Sequence, residues 1–366
     1  MDKVIPLPYA GARTDRAGSA RGQVAGWLLL CCALVFAMVV VGGVTRLTRS
    51  GLSIVEWEPL IGAIPPLSQA DWEQLFQEYQ RTPEYLKVNH GMSLQEFKGI
   101  FWWEYFHRLL GRLIGLVFLL PMVWFMVRRK IEAALAPRLV GIFLLGGVQG
   151  FVGWWMVSSG LVDDPRVSHV RLSIHLGLAF LIFAGMFWTA LDLLSNEVRE
   201  RFDRSLAPLA SFATALCVLI FVMVLSGGLV AGTRAGYAYN TFPLMNGHLV
   251  PPEYFMLSPW WDNFLHNMAT VQFNHRLIAW ALFLLIPVLW WRAWRAGVHG
   301  RLRLPLDLLM LMLLAQLALG IATLLQRVPV ALGASHQAGA LVLFALALWS
   351  AHVLRRRAAI GPVRRV

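Results

Sequence analysis

Charge is scarce in this chain. Only 14% of its 366 residues are Asp, Glu, Lys or Arg, where soluble domains carry about 25%. Combined with 58% hydrophobic residues and a mean hydropathy of +0.60, this excludes a soluble enzyme with a large core. It leaves an integral membrane protein. Cysteine is scarce as well. Cys31 and Cys32 are adjacent in one apolar run and Cys217 lies in another, so neither an external disulfide nor a thiolate metal site is readable. The first 23 residues, MDKVIPLPYAGARTDRAGSARGQ, lack the apolar core of a cleaved signal, and their two Asp do not suit a transit peptide. They read as a short cytoplasmic tail.

What is abundant is apolar sequence in long runs. Runs able to cross about 30 Å of hydrocarbon fall at 24–44, 102–127, 139–157, 170–193, 207–231, 272–292, 304–325 and 331–354. Eight spans put both termini on one side. The N-terminal tail and the segments 128–138, 195–206, 292–303 and 355–366 hold 20 of the 32 basic residues, which marks that side as cytoplasmic. The opposite side holds segment 45–101, with seven acidic and five basic residues, and segment 232–271, with two acidic and one basic. The net charge of +12 is therefore an inner-leaflet signature and argues for membrane lipid, not nucleic acid, as the partner.

The chain repeats itself. GGVTRLTRSG (42–51) returns as GGLVAGTRAG (227–236), and EYFHRLLG (104–111) as QFNHRLIA (272–279). LLGGVQGFVGWWMV (144–157) resembles LAQLALGIATLL (314–325), and RLSIHLGLA (171–179) resembles LGASHQAGA (332–340). Four spans per copy keep both copies in one orientation, related by an axis along the membrane normal. The fold class is thus all-α integral membrane, with eight transmembrane helices as two tandem four-helix bundles. The divisions are a cytoplasmic tail (1–23), an N-terminal half (24–194) with its outer segment 45–101, a cytoplasmic linker (195–206), a C-terminal half (207–354) and a basic cytoplasmic tail (355–366). The Gly-rich ends of the odd-numbered spans let helices, or a flat ligand, come close to backbone.

Four of the ten histidines fall in repeated positions: His107, His175, His275 and His336. The first charged residue on the cytoplasmic side follows at 21, 17, 17 and 19 residues respectively. At about 1.5 Å per residue this is roughly 26–32 Å, so all four lie at the outer edge of the hydrocarbon, one on each even-numbered span. A lone membrane histidine is often an interhelical hydrogen bonder; four at one depth, paired by a repeat, are not explained that way. Zinc prefers three or four clustered N, S or O ligands. Two opposed imidazoles per bundle suit the axial positions of a haem iron, which gives two haem sites. His169 reads as a solvated interfacial residue, and His90, His248, His266, His299 and His352 carry no assigned chemistry.

Arginines lie beside these sites. Arg108 and Arg276 each follow a site histidine, Arg171 precedes His175 by one turn, and Arg46, Arg49 and Arg234 sit just outside spans 1 and 5. They are propionate partners or residues reaching lipid headgroups; the repeated Gly-Gly…Thr-Arg context favours the former for Arg46 and Arg234. Segment 45–101 is too long for a bare loop. Ser68…Asp71 and Ser93…Glu96 are capping-box patterns, which predict outer helices covering the N-terminal site, the second running into span 2. Ser258-Pro259 marks another helix start, and the Trp pairs 102–103 and 260–261 read as interfacial belt residues. The halves also differ. Glu104 and Gln272 occupy matching positions three residues before their histidine. Only the carboxylate can relay protons or stabilise positive charge, so the N-terminal half is the chemical one.

The motifs GGVTRLTRSGLSIVEWEPLIGAIPP (42–66), EYFHRLLGR (104–112), HLG (175–177), NTFPLMNG (240–247), QFNHR (272–276) and SHQ (335–337) together resemble the heme A synthase family. The resemblance is ordered along most of the chain. It implies an eight-span oxidoreductase of the bacterial inner membrane that converts a methyl substituent of haem O to a formyl group, through a hydroxymethyl stage, giving haem A for cytochrome oxidase. It further implies that His275 and His336 ligate a haem b cofactor, with Arg234 and Arg276 beside it. His107 and His175 would hold the substrate haem, with Arg46, Arg108 and Arg171 around it and Glu104 essential. Haem O synthase, cytochrome oxidase assembly factors and an electron acceptor are the partners it implies. Many family members carry cysteine pairs in outer loops; this chain has none and is similar to the cysteine-free branch. Two readings share the four histidines: a dihaem b-type electron carrier, which leaves Glu104 unexplained, and a haem transporter or chaperone.

Overall fold

A computed structural model describes residues 11–56, 61–195 and 203–359. Parts of the two tails, of the linker and of the 42–66 motif lie outside the described residues. Among them the chain is helical, with helices α1 Gly11–Leu47, α2 Gln69–Gln80, α3 Pro83–Lys87, α4 Leu94–Val127, α5 Ala136–Ser158, α6 His169–Leu194, α7 Ala207–Thr233, α8 Ala235–Ala238, α9 Asn263–His266, α10 Met268–Arg295, α11 Leu304–Leu325 and α12 Val330–Ala359. Eight of these, α1, α4, α5, α6, α7, α10, α11 and α12, are long and apolar enough to cross a membrane. They match the eight apolar runs, and most overrun them by several residues, because caps and polar turns extend a helix past its hydrocarbon-length core. The largest difference is at the start, where α1 begins at Gly11, inside the segment read as a tail.

The packing repeats. α1 lies on α4 and α6, and α5 lies on α4 and α6, so the first four spans close into a ring. α7, α10, α11 and α12 close in the same order. The rings share a wall: α6 packs on α7, α1 packs on α12, and α6 also meets α12. Those four inner helices are the most buried of the eight, 39–56% of their apolar windows against 11–22% for the outer four. The outer faces of α4 and α5 present Leu113, Leu116, Leu120, Leu144, Val148 and Phe151, apolar side chains suited to lipid. Polar links cross the shared wall. Ser173 Oγ donates to the Leu225 carbonyl, and Gln337 Nε2 to the Val39 carbonyl. On the inner side buried His352 meets Asp192 at 2.9 Å, and Arg138 donates to the other oxygen of that carboxylate.

The outer segment folds over the N-terminal ring. Both capping boxes form, Ser68 with Asp71 and Ser93 with Glu96, satisfying backbone N–H groups that a helix start leaves unpaired. α4 continues without a break from its outer cap into the membrane. An aromatic cluster of Trp72, Tyr79, Phe97, Phe101 and Tyr105 holds α2 against the outer end of α4. Trp102 belongs to this cluster, with ring centroids 5.7 Å from Trp72 and 5.4 Å from Tyr105. It is therefore a packing residue and not a belt residue; Trp103, Trp260 and Trp261 are exposed. The Ser258-Pro259 start leads only into a short 3₁₀ turn and α9.

Glu84, on α3, is buried in this cap and accepts from the Tyr79 hydroxyl. Burial raises its carboxyl to about 7. The Tyr79 bond and the Arg49 and Arg234 charges oppose the rise, and the Glu104 charge adds to it. A raised carboxyl binds its proton more tightly folded than unfolded. Its contribution is complete below about 4.5 and disappears as pH rises through about 7, an effect on the order of 3 kcal/mol. Protection factors of the α2 and α3 amides should therefore fall between pH 5 and pH 8, and Glu84→Gln should remove most of that slope. An unaltered slope in the variant contradicts the assignment.

Candidate functional site

Within each ring the two histidine-bearing helices stand on one diagonal and two glycine-bearing helices on the other. In the N-terminal ring, His107 on α4 abuts Gly42 of α1, where a Cβ would lie 3.0 Å from the imidazole Nε2. His175 on α6 abuts Gly153 of α5, where a Cβ would lie 3.0 Å from Cε1. In the C-terminal ring, His275 on α10 abuts Gly227 of α7 at 3.2 Å, and His336 on α12 abuts Gly320 of α11 at 2.8 Å, by the same measure. Real Cβ atoms essentially never show a contact as short as that at Gly320, and the other three are tighter than nine in ten, so a larger residue at any of them would require the imidazole to give way. Helix packing places His107 with His175 in one ring and His275 with His336 in the other. All four rings are half-buried.

In each half a glutamine precedes the cradle glycine by four residues, Gln149 before Gly153 and Gln316 before Gly320, and supports the same positions. Gln149 Nε2 donates to the His175 carbonyl at 3.1 Å, and Gln316 Nε2 to the His336 carbonyl at 2.8 Å. Among the described residues, Gln149 Oε1, His175 Nδ1, Gln316 Oε1 and His336 Nδ1 are buried polar atoms without a partner. Orphaned atoms of this kind call for a ligand or a functional explanation, and here the same pair is orphaned twice. No group of three or more His, Cys, Asp or Glu able to hold a metal occurs among the described residues. Two nitrogens per ring, flanked by backbone without side chains, fit an iron whose other ligands come from a flat macrocycle.

Glu104 sits one turn above His107 and is 2% exposed. Its Oε2 accepts from the Ser53 amide at 2.7 Å, the Ser53 hydroxyl at 2.8 Å and the Ile54 amide at 2.9 Å. Its Oε1 accepts from Arg108 Nε at 3.1 Å and Nη2 at 2.7 Å. Five donors on two oxygens suit an acceptor-only carboxylate. Arg108 also donates to the Ile54 and Glu56 carbonyls, so the pair ties the turn after α1 to the top of α4. The second copy builds the same clamp without the charge. Gln272 Nε2 and Arg276 Nη2 both donate to the Tyr239 carbonyl, and Arg276 also to that of Thr241. Gln272 Oε1 is left unpartnered.

The chain belongs to the heme A synthase family. Residues 25–348 match the COX15-CtaA family model, described as cytochrome oxidase assembly protein. The heme A synthase of Nitrosospira multiformis is 59% identical over 345 residues, 94% of this chain and 97% of that protein. That of Nitrosomonas eutropha is 59% identical over 92% of this chain and 95% of its own length, and that of Rhodospirillum centenum 51% identical over 97% and 94%. Family members of this kind are enzymes, and the eight apolar helices make this one a multi-pass membrane protein.

The arginines divide differently from their sequence context. Arg108 and Arg276 are engaged by loop carbonyls, in the same way in both halves. Arg171 donates to the Trp155 carbonyl at 2.7 Å and stacks 4.3 Å above that indole. In register from Gly42 and Gly227, the counterpart of Arg234 is Arg49, not Arg46. Both adopt the left-handed conformation, with φ of 57° and 59°, each after a Thr that hydrogen-bonds back to its own helix. Partial burial first, then the neighbouring Arg49 and Arg166 guanidiniums, draw Arg234 below the usual arginine range. Arg46 interacts electrostatically with Arg234 as well. Cations thus gather at the outer ends of α1 and α7, where the two rings meet. His169 is not simply solvated: its Nε2 lies 3.0 Å from His266 Nδ1, across the two halves.

The glycine contacts carry a direct test. Gly320→Ala should lower thermal stability in detergent by about 1–3 kcal/mol, the usual cost of overpacking. Gly147→Ala, on α5 with nothing within 4 Å, should be neutral or gain up to about 1 kcal/mol from helix propensity. Equal effects at the two positions would show that Gly320 is not a cradle.

Proposed function

We propose that this chain is a bacterial plasma-membrane heme A synthase, with both termini cytoplasmic, that oxidises a methyl substituent of haem O to a formyl group. His107 and His175 hold the substrate haem in the N-terminal ring. His275 and His336 hold a haem b in the C-terminal ring, where that group supplies one-electron chemistry. The observation that carries the division is the carboxylate found on one side only. Glu104 stands in the clamp over the N-terminal pair, and its counterpart Gln272 cannot take a proton or balance a positive charge.

Converting a methyl to a formyl group is a four-electron oxidation, balanced as R–CH3 + H2O → R–CHO + 4 H+ + 4 e−: the carbon loses hydrogen and gains one oxygen, so positive charge develops next to the macrocycle and protons must leave a water-poor site. A carboxylate preorganised by Ser53, Ile54 and Arg108 meets that charge without reorganising. Its ion pair with Arg108, 2.7 Å long and with both side chains largely buried, keeps it aimed and keeps the 53–56 turn over the site. In this reading Arg108 and Arg276 hold the loops, while Arg46 and Arg171 serve the propionates of the substrate and Arg234, with Arg49 beside it, those of the cofactor. The electrons pass to an acceptor, and haem O synthase and cytochrome oxidase assembly factors are the partners on either side of the reaction.

Haem extracted from cells that make haem O should contain haem A only when this protein is present. Glu104→Gln should keep its bound haem b while formyl product falls by at least about tenfold to a hundredfold, the loss typical of removing one positioned acid–base or electrostatic group. Haem O left unmodified by the unaltered protein, with both of its haems undergoing reduction and oxidation, would favour the electron-carrier reading instead.

A further inference from the structure

The two rings differ at a second position, behind the other ligand pair. Ser226 on α7 places its Oγ 2.7 Å from His275 Nδ1. The same hydroxyl lies 3.0 Å from the Met223 carbonyl one turn back, the usual destination for a serine proton inside a helix. Assigned to Met223, its one hydrogen leaves a lone pair turned to His275 and makes the imidazole the Nδ1–H form. Nε2 is then a bare lone pair, ready to bind a metal. In register from Gly42 and Gly227, Ser226 corresponds to Val41, which has no group to accept a proton. His107 accordingly has no side-chain hydrogen bond among the described residues, and Nδ1 of His175 and of His336 is unpartnered. Of the four imidazoles, His275 alone carries a side-chain hydroxyl on Nδ1; His175 is met instead at Nε2, 3.4 Å from Gln149 Nε2.

We propose that Ser226 is the positioning residue of the resident haem, setting both the tautomer of His275 and the potential of the iron it holds. This rests on the reading that His275 and His336 ligate haem b. An acceptor on the far N–H of a ligating imidazole raises its basicity and favours the ferric form, so it lowers the reduction potential. Val41 leaves His107 without that bond and with freedom to turn, which suits a site whose haem enters and leaves. The repeat thereby carries one retentive and one exchangeable haem site on the same backbone.

The test is redox titration of the low-spin haem in the purified full-length protein, with haem content measured alongside. Ser226→Ala should raise the midpoint potential by roughly the equivalent of a tenfold change in the reduction equilibrium, about 59 mV for one electron. Ser226→Thr should restore it, and Val41→Ser should leave it unmoved. If Ser226→Ala loses haem outright, recovery of haem and of the original potential in Ser226→Thr still supports the role. An unchanged or lowered potential in Ser226→Ala overturns it. A low-spin spectrum that survives His275→Ala sinks instead the reading on which this rests.

Discussion

An imidazole can point across a helix ring only where the neighbouring helix makes room for it. In this chain that room is a missing Cβ, four times over. Gly42, Gly153, Gly227 and Gly320 each lie against one histidine, and the histidines occupy one diagonal of each ring while glycines occupy the other. In the proposed reading a flat ligand lies between the two nitrogens, with its edges close to backbone and its iron between the imidazoles. The rest of the architecture serves that constraint. The four inner helices form a shared wall that fixes one helix of each diagonal, and outer loops clamped by Arg108 and Arg276 close the top of each ring.

Duplication gives two such cradles, and small departures from symmetry give them different chemistry. One turn from the histidine, the N-terminal ring has Glu104 and the C-terminal ring neutral Gln272. Behind the ligand pair, Ser226 locks His275, and Val41 leaves His107 unlocked. The two differences run in opposite directions. One ring has the charged group and the loose ligand; the other has the neutral group and the fixed ligand. In the proposed reading this is the division between a substrate site and a cofactor site, because a substrate must be exchanged and a cofactor retained.

Much of this was legible in the sequence because its causes are local or periodic. Hydrocarbon thickness sets the length of apolar runs, so eight spans could be read directly. Ser68–Asp71 and Ser93–Glu96 announce helix starts within four residues. The repeat and the depth count alone bring His107, His175, His275 and His336 to one level. What was hidden depends on contacts between distant segments. Ser53 lies 51 residues from the carboxylate it holds, and no spacing rule links them. Arg108 and Arg276 look like ligand-facing cations until the carbonyls they bind are seen. The Gly-Gly…Thr-Arg context favours Arg46, whereas strict register with GGLVAGTRAG makes Arg49 the counterpart of Arg234. Trp102 looked interfacial because Trp72, its partner, is 30 residues away on another helix. Ser226 was silent, since a serine among apolar residues has no signature until its neighbour is known to be a ligand.

The most direct measurement is electron paramagnetic resonance on the protein purified from cells that make haem b but no haem O. Two separate rings, with the resident haem in the second, predict one low-spin centre with two axial imidazoles. His336→Ala should abolish that signal, and His175→Ala should leave it intact. Loss of the signal in His175→Ala with its survival in His336→Ala would contradict the arrangement.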